Sequence, residues 1–243
     1  MKIEGSVALV TGANRGIGKA IADELLARGA AKVYAGVRNL ASVTDTAFEP
    51  IALDITDPGQ VAAAARRADD VNLVVNNAGI GKGTTPLNTP LSEARADIET
   101  NYIGLISMTQ AFAPVLKGNG GGTFVNILSG VSLVALPHMT SYCASKAAEW
   151  SYTDAARVEL AGQGTDVLAV YAGYVDTGLA EWLGDGVEKI TPEVVATAAL
   201  DSLAKGEPEA LVDDLARTVK AGLSDDQNLI YPEVRRQFEA AHV

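Results

Sequence analysis

Short apolar runs alternate along the chain with longer stretches of helical periodicity. VALV at 7–10, AKVYAGV at 31–37, EPIALDIT at 49–56, VNLVVNNAG at 71–79, GTFVNILS at 122–129 and TDVLAVYAG at 165–173 show no steady in–out alternation. That is the pattern of strands buried on both faces. Helical spacing marks IGKAIADELLARG at 17–29, DPGQVAAAARRA at 57–68, a segment from about Ser92 to Leu116, another from Ser141 toward Ala161, and TPEVVATAALDSLAKG at 191–206. Strands alternating with helices predict βαβ units, hence an α/β fold with a doubly wound parallel sheet and helices on both faces. Crossovers are expected to be right-handed. No composition break marks a linker and no fixed period repeats, so residues 1–243 are expected to form a single domain. Beyond residue 206 the pattern fades into a less regular, acidic stretch.

Composition narrows the partners. Hydrophobic residues make up 48% of the chain, enough for one sizeable core. The formal net charge is -11 with no offsetting basic cluster, which disfavours nucleic acid. The one cysteine, Cys143, allows no disulfide within the chain and suits a reducing compartment; beside Tyr142 in a helix it reads as a packed side chain. No second thiol or His-rich cluster points to a metal. The start, MKIEGSVALVTG, enters a strand without the apolar core of a signal peptide, and no window reaches the ~18 apolar residues of a membrane span. The expectation is a soluble, cytoplasmic protein.

TGANRGIG, Thr11 to Gly18, joins the first strand to the first helix. Its glycines let the backbone turn tightly and approach a ligand, and the helix aims its N–H groups and dipole at that spot. The spacing is Gly-x-x-x-Gly-x-Gly, and a loop so placed suits a dinucleotide. The end of the second strand usually reads the adenosine ribose, an acid suiting a 2′-hydroxyl and an arginine a 2′-phosphate. Arg38 stands there and Arg15 lies within the loop. This charge pattern favours NADP(H) over NAD(H).

Tyr142 and Lys146 are four residues apart on one helical face. Alone, the pair is either ordinary helix surface or an acid–base device. An ammonium beside a phenol favours the phenolate, and a phenol titrating nearer the working pH suits general acid–base catalysis. The ordered set TGANRGIG, Asp54 in ALDIT, NNAG at 76–79, Asn101 in TNYIG, Ser129 in NILSG and Tyr-x-x-x-Lys at 142–146 decides between them. With these motifs the chain resembles a short-chain dehydrogenase/reductase over essentially its whole length.

The resemblance implies a Rossmann fold, hydride transfer between a nicotinamide and a carbonyl or secondary alcohol, and four catalytic residues. Tyr142 would exchange the proton and Ser129 would hydrogen-bond the same substrate oxygen. Lys146 would hold the nicotinamide ribose and lower the Tyr142 pKa, and Asn101 would hold a water in a path to Lys146. Cofactor contacts are expected at Gly12, Asn14, Arg15, Gly16, Ile17, Gly18, Arg38, Asp54, Ile55, Asn77, Ala78, Gly79, Tyr142, Lys146, Gly173, Val175 and Thr177, with Asn76 bracing the sheet. One position departs from the family: Ala172 stands before Gly173 where the family has proline. Loss of that proline is expected to loosen the turn.

Residues 132–140 and a lid at about 174–190 should border the substrate, with Leu136, Met139, Leu179 and Trp182 forming an apolar wall. His138 reads as a wall or surface residue. The expected partner is a small-molecule carbonyl or alcohol, and the family implies a homodimer or homotetramer built on the helices around 92–116 and 141–161. Two rivals are a non-catalytic NADP(H)-sensing regulator and an epimerase or dehydratase of the related longer-chain families. The intact Asn–Ser–Tyr–Lys set argues against the first and the short C-terminal region against the second.

Overall fold

The computed structural model describes residues 1–183 and 186–240. Seven strands form one wholly parallel sheet: β1 (Val7–Thr11), β2 (Lys32–Val37), β3 (Glu49–Ala52), β4 (Leu73–Asn76), β5 (Gly122–Ser129), β6 (Thr165–Ala172) and β7 (Glu209–Leu211). Their order is β3-β2-β1-β4-β5-β6-β7. The chain therefore reverses its direction of winding between β1 and β4, and ligands bind outside the strand ends at such a switch point.

Each face of the sheet carries its own core, because successive strand residues point to opposite sides. On one side Val10, Val75, Val125 and Leu168 pack with Ile21 and Leu25 of α1 (Gly16–Ala27) and Leu200 of α6 (Pro192–Lys205). On the other, Leu9, Val74 and Phe124 meet Val61 of α2 (Pro58–Arg67) and the long helices α4 (Gly104–Gly118) and α5 (Thr140–Ala161). Phe112 and Leu116 from α4 are fully buried there.

Two expectations change. The helix expected over about 92–116 is three pieces: α3 (Leu91–Asp97), a π-helical turn (Ile98–Ile103) and α4. A π turn inserts a residue into the helical repeat, and such turns gather at functional sites; this one contains Asn101. The acidic C-terminal stretch is also more ordered than its pattern suggests. It holds β7, α7 (Asp214–Gly222), α8 (Asp226–Leu229) and α9 (Tyr231–Ala240). A three-residue strand is too short to show a period, and the apolar positions of α7 cover a single narrow stripe through Ala216 and Val219. Among the described residues no helix is long and apolar enough to cross a membrane.

Candidate active site

A cavity of about 1090 Å³ opens at the C-terminal ends of the strands, lined by the loops after β1, β2, β3, β4, β5 and β6. It is slightly larger than the usual range of ligand sites (about 300–1,000 Å³). One lobe is built from TGANRGIG. Gly12 and Gly16 take the left-handed conformation, with φ of 69° and 53°, which side-chain-bearing residues resist. Arg15 caps α1 through its backbone alone, with no side-chain hydrogen bond and no acid in the first turn. The helix therefore presents its free N–H groups to an anion. Arg15 and Arg38 both line this lobe and are exposed. Two guanidinium groups beside an uncapped helix start are a donor set that fits a dinucleotide bearing an extra phosphate.

All the expected cofactor contacts lie on the cavity wall except Gly18. Gly18 is buried within α1, and a Cβ there would come within 2.4 Å of both the Gly12 carbonyl oxygen and the Asn77 amide. It is a packing glycine that lets the loop close on β4. Thr11 ties that closure together: its hydroxyl accepts the N–H groups of Asn77 and Ala78 at 2.9 and 3.0 Å. Asp54 turns inward on its own loop, accepting from the Thr56 N–H and hydroxyl. Asn76 donates to Asn126 at 2.9 Å, and Asn126 to Thr153 at 3.0 Å, linking β4, β5 and α5.

The other lobe holds the tyrosine. Tyr142 lies on the first turn of α5, and Lys146 lies one turn on, its Nζ 5.8 Å from the Tyr142 ring centroid. Both are buried. Ser129, the last residue of β5, lines the same cavity as Tyr142 and acts to lower the Tyr142 pKa. Its own hydroxyl donates to the Ala172 carbonyl at 3.3 Å and accepts from the Val131 N–H. Gly81 packs flat against the Tyr142 ring, where a Cβ would lie 2.5 Å from a ring carbon.

Lys146 acts on the Tyr142 pKa in the expected direction, but other effects are larger. Burial raises it, Lys146 pulls it down, Glu149 pushes it back up, and the net direction is upward. The lysine is not a lone cation: Nζ stands 2.9 Å from one Glu149 carboxylate oxygen and 3.1 Å from the other, and donates to the Ile127 carbonyl at 3.0 Å. Burial works to lower the Lys146 pKa, but Glu149 and Tyr142 outweigh it and raise it. Burial also raises Glu149, to about 7, against the pull of Lys146.

Asn101 braces the site from outside its main wall. It does not line the main cavity. Its Oδ1 accepts the Ile80 N–H at 2.9 Å, while Nδ2 donates to the Ile80 carbonyl at 2.8 Å and to Ser145 Oγ at 2.9 Å. These bonds clamp the loop after β4 to α5 and leave Oδ1 one further lone pair for a water.

The chain on either side of the Ala172 departure is held by hydrogen bonds. Ala172 pairs with Ser129 in the β5–β6 ladder, and the Gly173 N–H donates to Asp213 Oδ2 at 2.6 Å. Asp213 also caps α7, its Oδ1 accepting from Ala216 N.

On the substrate side Met139, Tyr174 and Leu179 line the cavity. Leu136 does not; it packs behind Tyr142 with Val131, Met139 and Cys143. The carbonyl of half-buried His138 accepts from the Thr84 N–H. Residues 184 and 185 of the expected lid, and the Trp182 side chain, lie outside the described residues. Sequence reasoning passed over Gly81 and Glu149. The signal for Glu149 was its place three residues after Lys146, on the same face of the helix.

Comparison with known proteins decides the family. Residues 6–188 match the model of the short chain dehydrogenase family. The chain belongs to the short-chain dehydrogenase/reductase family. A short chain dehydrogenase from Burkholderia cenocepacia J2315, solved with NADP, is 40% identical with a TM-score of 0.91, covering 96% of this chain and 99% of that one. The NADP-dependent 3-hydroxy acid dehydrogenase of Schizosaccharomyces pombe is 27% identical over 240 residues, 88% of this chain and 93% of its own. The 3-ketoacyl-(acyl-carrier-protein) reductase of Brucella melitensis, solved with NADH, is 28% identical with a TM-score of 0.77, covering 86% and 96%. This short-chain dehydrogenase/reductase is an oxidoreductase acting between CH–OH and C=O groups. The two cofactors among its relatives leave the choice of dinucleotide to its own residues.

Proposed function

We propose that the enzyme is an NADP(H)-dependent carbonyl reductase, an alcohol dehydrogenase in reverse, acting on a free small molecule. The observation that carries this reading is one cavity with two ends: Arg15 and Arg38 beside an uncapped helix start, and Ser129 and Tyr142 at the opposite end. The whole chain, 1–243, would serve as one catalytic domain with the lid at about 174–190. Its single cysteine suits the cytoplasm, and its two long helices suit a homodimer or homotetramer.

The loop 12–17 and the N-terminus of α1 would hold the pyrophosphate, and Arg15 and Arg38 the 2′-phosphate. Asp54 and Ile55 would flank the adenine, Asn77 to Gly79 the middle of the molecule, and Lys146, Gly173, Val175 and Thr177 the nicotinamide end. Bound there, the cofactor supplies a hydride to the carbonyl carbon, or accepts one from the alcohol. Tyr142 gives its phenolic proton to the carbonyl oxygen, so reduction consumes one hydride and one proton and leaves an alcohol. Ser129 would turn its hydroxyl proton from the Ala172 carbonyl to the same oxygen as negative charge develops there. Asn101 keeps the loop after β4 against α5 and offers Oδ1 to a water on the way to Lys146.

The test is a fluorescence titration of NADPH against NADH, followed by a panel of ketones and aldehydes with the tighter cofactor. NADPH should bind more tightly, and Tyr142→Phe should retain binding while losing most turnover. Tighter NADH binding would overturn the cofactor assignment, and wild-type turnover in Tyr142→Phe would overturn the role of the tyrosine.

A further inference from the structure

Glu149 follows Lys146 by three residues on α5, so the two side chains share a face. Its carboxylate grips the lysine with one oxygen at 2.9 Å and the other at 3.1 Å, and both side chains are almost wholly buried, 7% and 6% exposed. The carboxylate fronts a water-sized cavity behind the lysine, bounded also by Thr11, Asn76, Asn101, Leu105 and Met108. Among the described residues, the others lining that cavity, those of β1, β4, the π turn and α4 among them, are neutral. The charged and titratable groups acting on Glu149 come from its own helix, Lys146 in contact and Tyr142 beyond. Charges buried together in a poorly screened interior act on one another over several ångströms. Next to Tyr142 there is therefore a neutral ion pair in place of a bare cation.

We propose that Glu149 is a positioning residue: by clamping and neutralising the Lys146 ammonium it keeps Tyr142 in its proton-donating form and tilts the enzyme toward carbonyl reduction. The inference rests on the function proposed above. Reduction moves the phenolic proton from Tyr142 to the carbonyl oxygen, whereas oxidation must begin from the phenolate. A bare ammonium beside the ring favours the phenolate, and the carboxylate opposes that pull. Burial pushes Glu149 up to about 7, still below the alkaline range where a tyrosine titrates, so the carboxylate is ionised there. Burial and the carboxylate act in the same direction on the phenol.

The test is an ultraviolet titration of tyrosinate in the full-length protein, with the Tyr142 step isolated by subtracting the Tyr142→Phe variant. In the wild type that step should lie at or above the ~10 of free tyrosine. In Glu149→Gln, which keeps the shape and removes the charge, it should fall by about one pH unit, the scale on which a neighbouring charge moves a titration. The pH profiles should follow: the alkaline limb of reduction and the rise of oxidation both move to lower pH. Glu149→Asp, which retains the charge, should stay close to the wild type. A Glu149→Gln step that stays put or rises overturns the proposal. So does a wild-type step well below that of free tyrosine, a measurement that needs no variant at position 149 to fold. If no carbonyl is turned over, the proposed function fails on its own account, while the titration still judges Glu149.

Discussion

Gly81→Ala puts a single methyl group against the proposed proton donor. An ideal Cβ at Gly81 would lie 2.5 Å from Tyr142 Cδ2, 3.0 Å from Cγ and 3.1 Å from Cε2. Carbon atoms in contact prefer about 3.5–4.0 Å, so ring and loop must separate by about 1 Å. The ring has little room to yield, because Val131, Met139 and Cys143 pack around Tyr142. The loop is held too, since Asn101 hydrogen-bonds both the N–H and the carbonyl of Ile80. A misplacement of about 1 Å at a reacting group costs roughly 100-fold in rate, equivalent to about 2.7 kcal/mol of barrier. Steady-state kinetics with NADPH and a turned-over ketone should therefore show kcat reduced about 100-fold. NADPH affinity by fluorescence titration should change little, because the adenosine and phosphate lobe is remote from the methyl. A near-wild-type kcat in a variant that binds NADPH normally would refute the reasoning, since the phenol would then tolerate displacement or the loop would give way freely.

Three further outcomes follow from the same geometry. Arg38→Ala should weaken NADPH binding about 10- to 100-fold, the worth of a charge-assisted hydrogen bond of about 1.5–3 kcal/mol, and leave NADH binding unchanged in the same titration. Asp213→Ala removes both the acceptor for the Gly173 N–H and the cap of α7. It should cost about 1 kcal/mol for the cap, lower Tm by about 2–4 °C and raise the KM for the cofactor. Glu149 titrates at about 7 in the folded chain against an ordinary 4.5. A raised carboxyl pKa means that the folded state keeps a proton the unfolded chain has lost, so its contribution to stability is full below about 4.5 and declines up to about 7. Denaturant titrations across that window should show wild-type stability falling with pH relative to Glu149→Gln, and parallel curves would contradict the assignment.

The order and type of the first six strands were legible because a parallel sheet covered on both faces leaves unbroken apolar runs. VALV and TDVLAVYAG each became a strand for that reason. EPIALDIT and VNLVVNNAG stop early as strands, at Ala52 and Asn76, because their later residues turn into the site. The π turn at 98–103 was hidden, since one inserted residue leaves a helical pattern almost unaltered in a short window. β7 was hidden for want of length: Glu209–Leu211 owes its place to pairing with β6 through Ala169, Val170 and Tyr171, a tertiary preference with no local trace.

The make-up of the cavity wall was legible in the sequence, and its electrostatics much less so. Residue types and spacing brought Ser129, Tyr142 and Lys146 to one face of one cavity, because a strand end and a helix start are both local features. The sign of the Tyr142 shift was not local. The expectation of a lowered pKa counted one charge at helical spacing and left out two opposing effects, the depth of burial and a second charge one turn further along α5. Burial depends on what the loop after β5 and the loop at Gly81 lay over the ring, and Gly81 is far from Tyr142 in sequence. Glu149 could have been read from its spacing, but a glutamate three residues from a lysine is ordinarily a solvated surface pair worth a few tenths of a kcal/mol. The same spacing acquires a different meaning once both side chains are about 6–7% exposed. With solvent excluded, the carboxylate no longer decorates the helix; it sets how much of the lysine's charge the phenol feels.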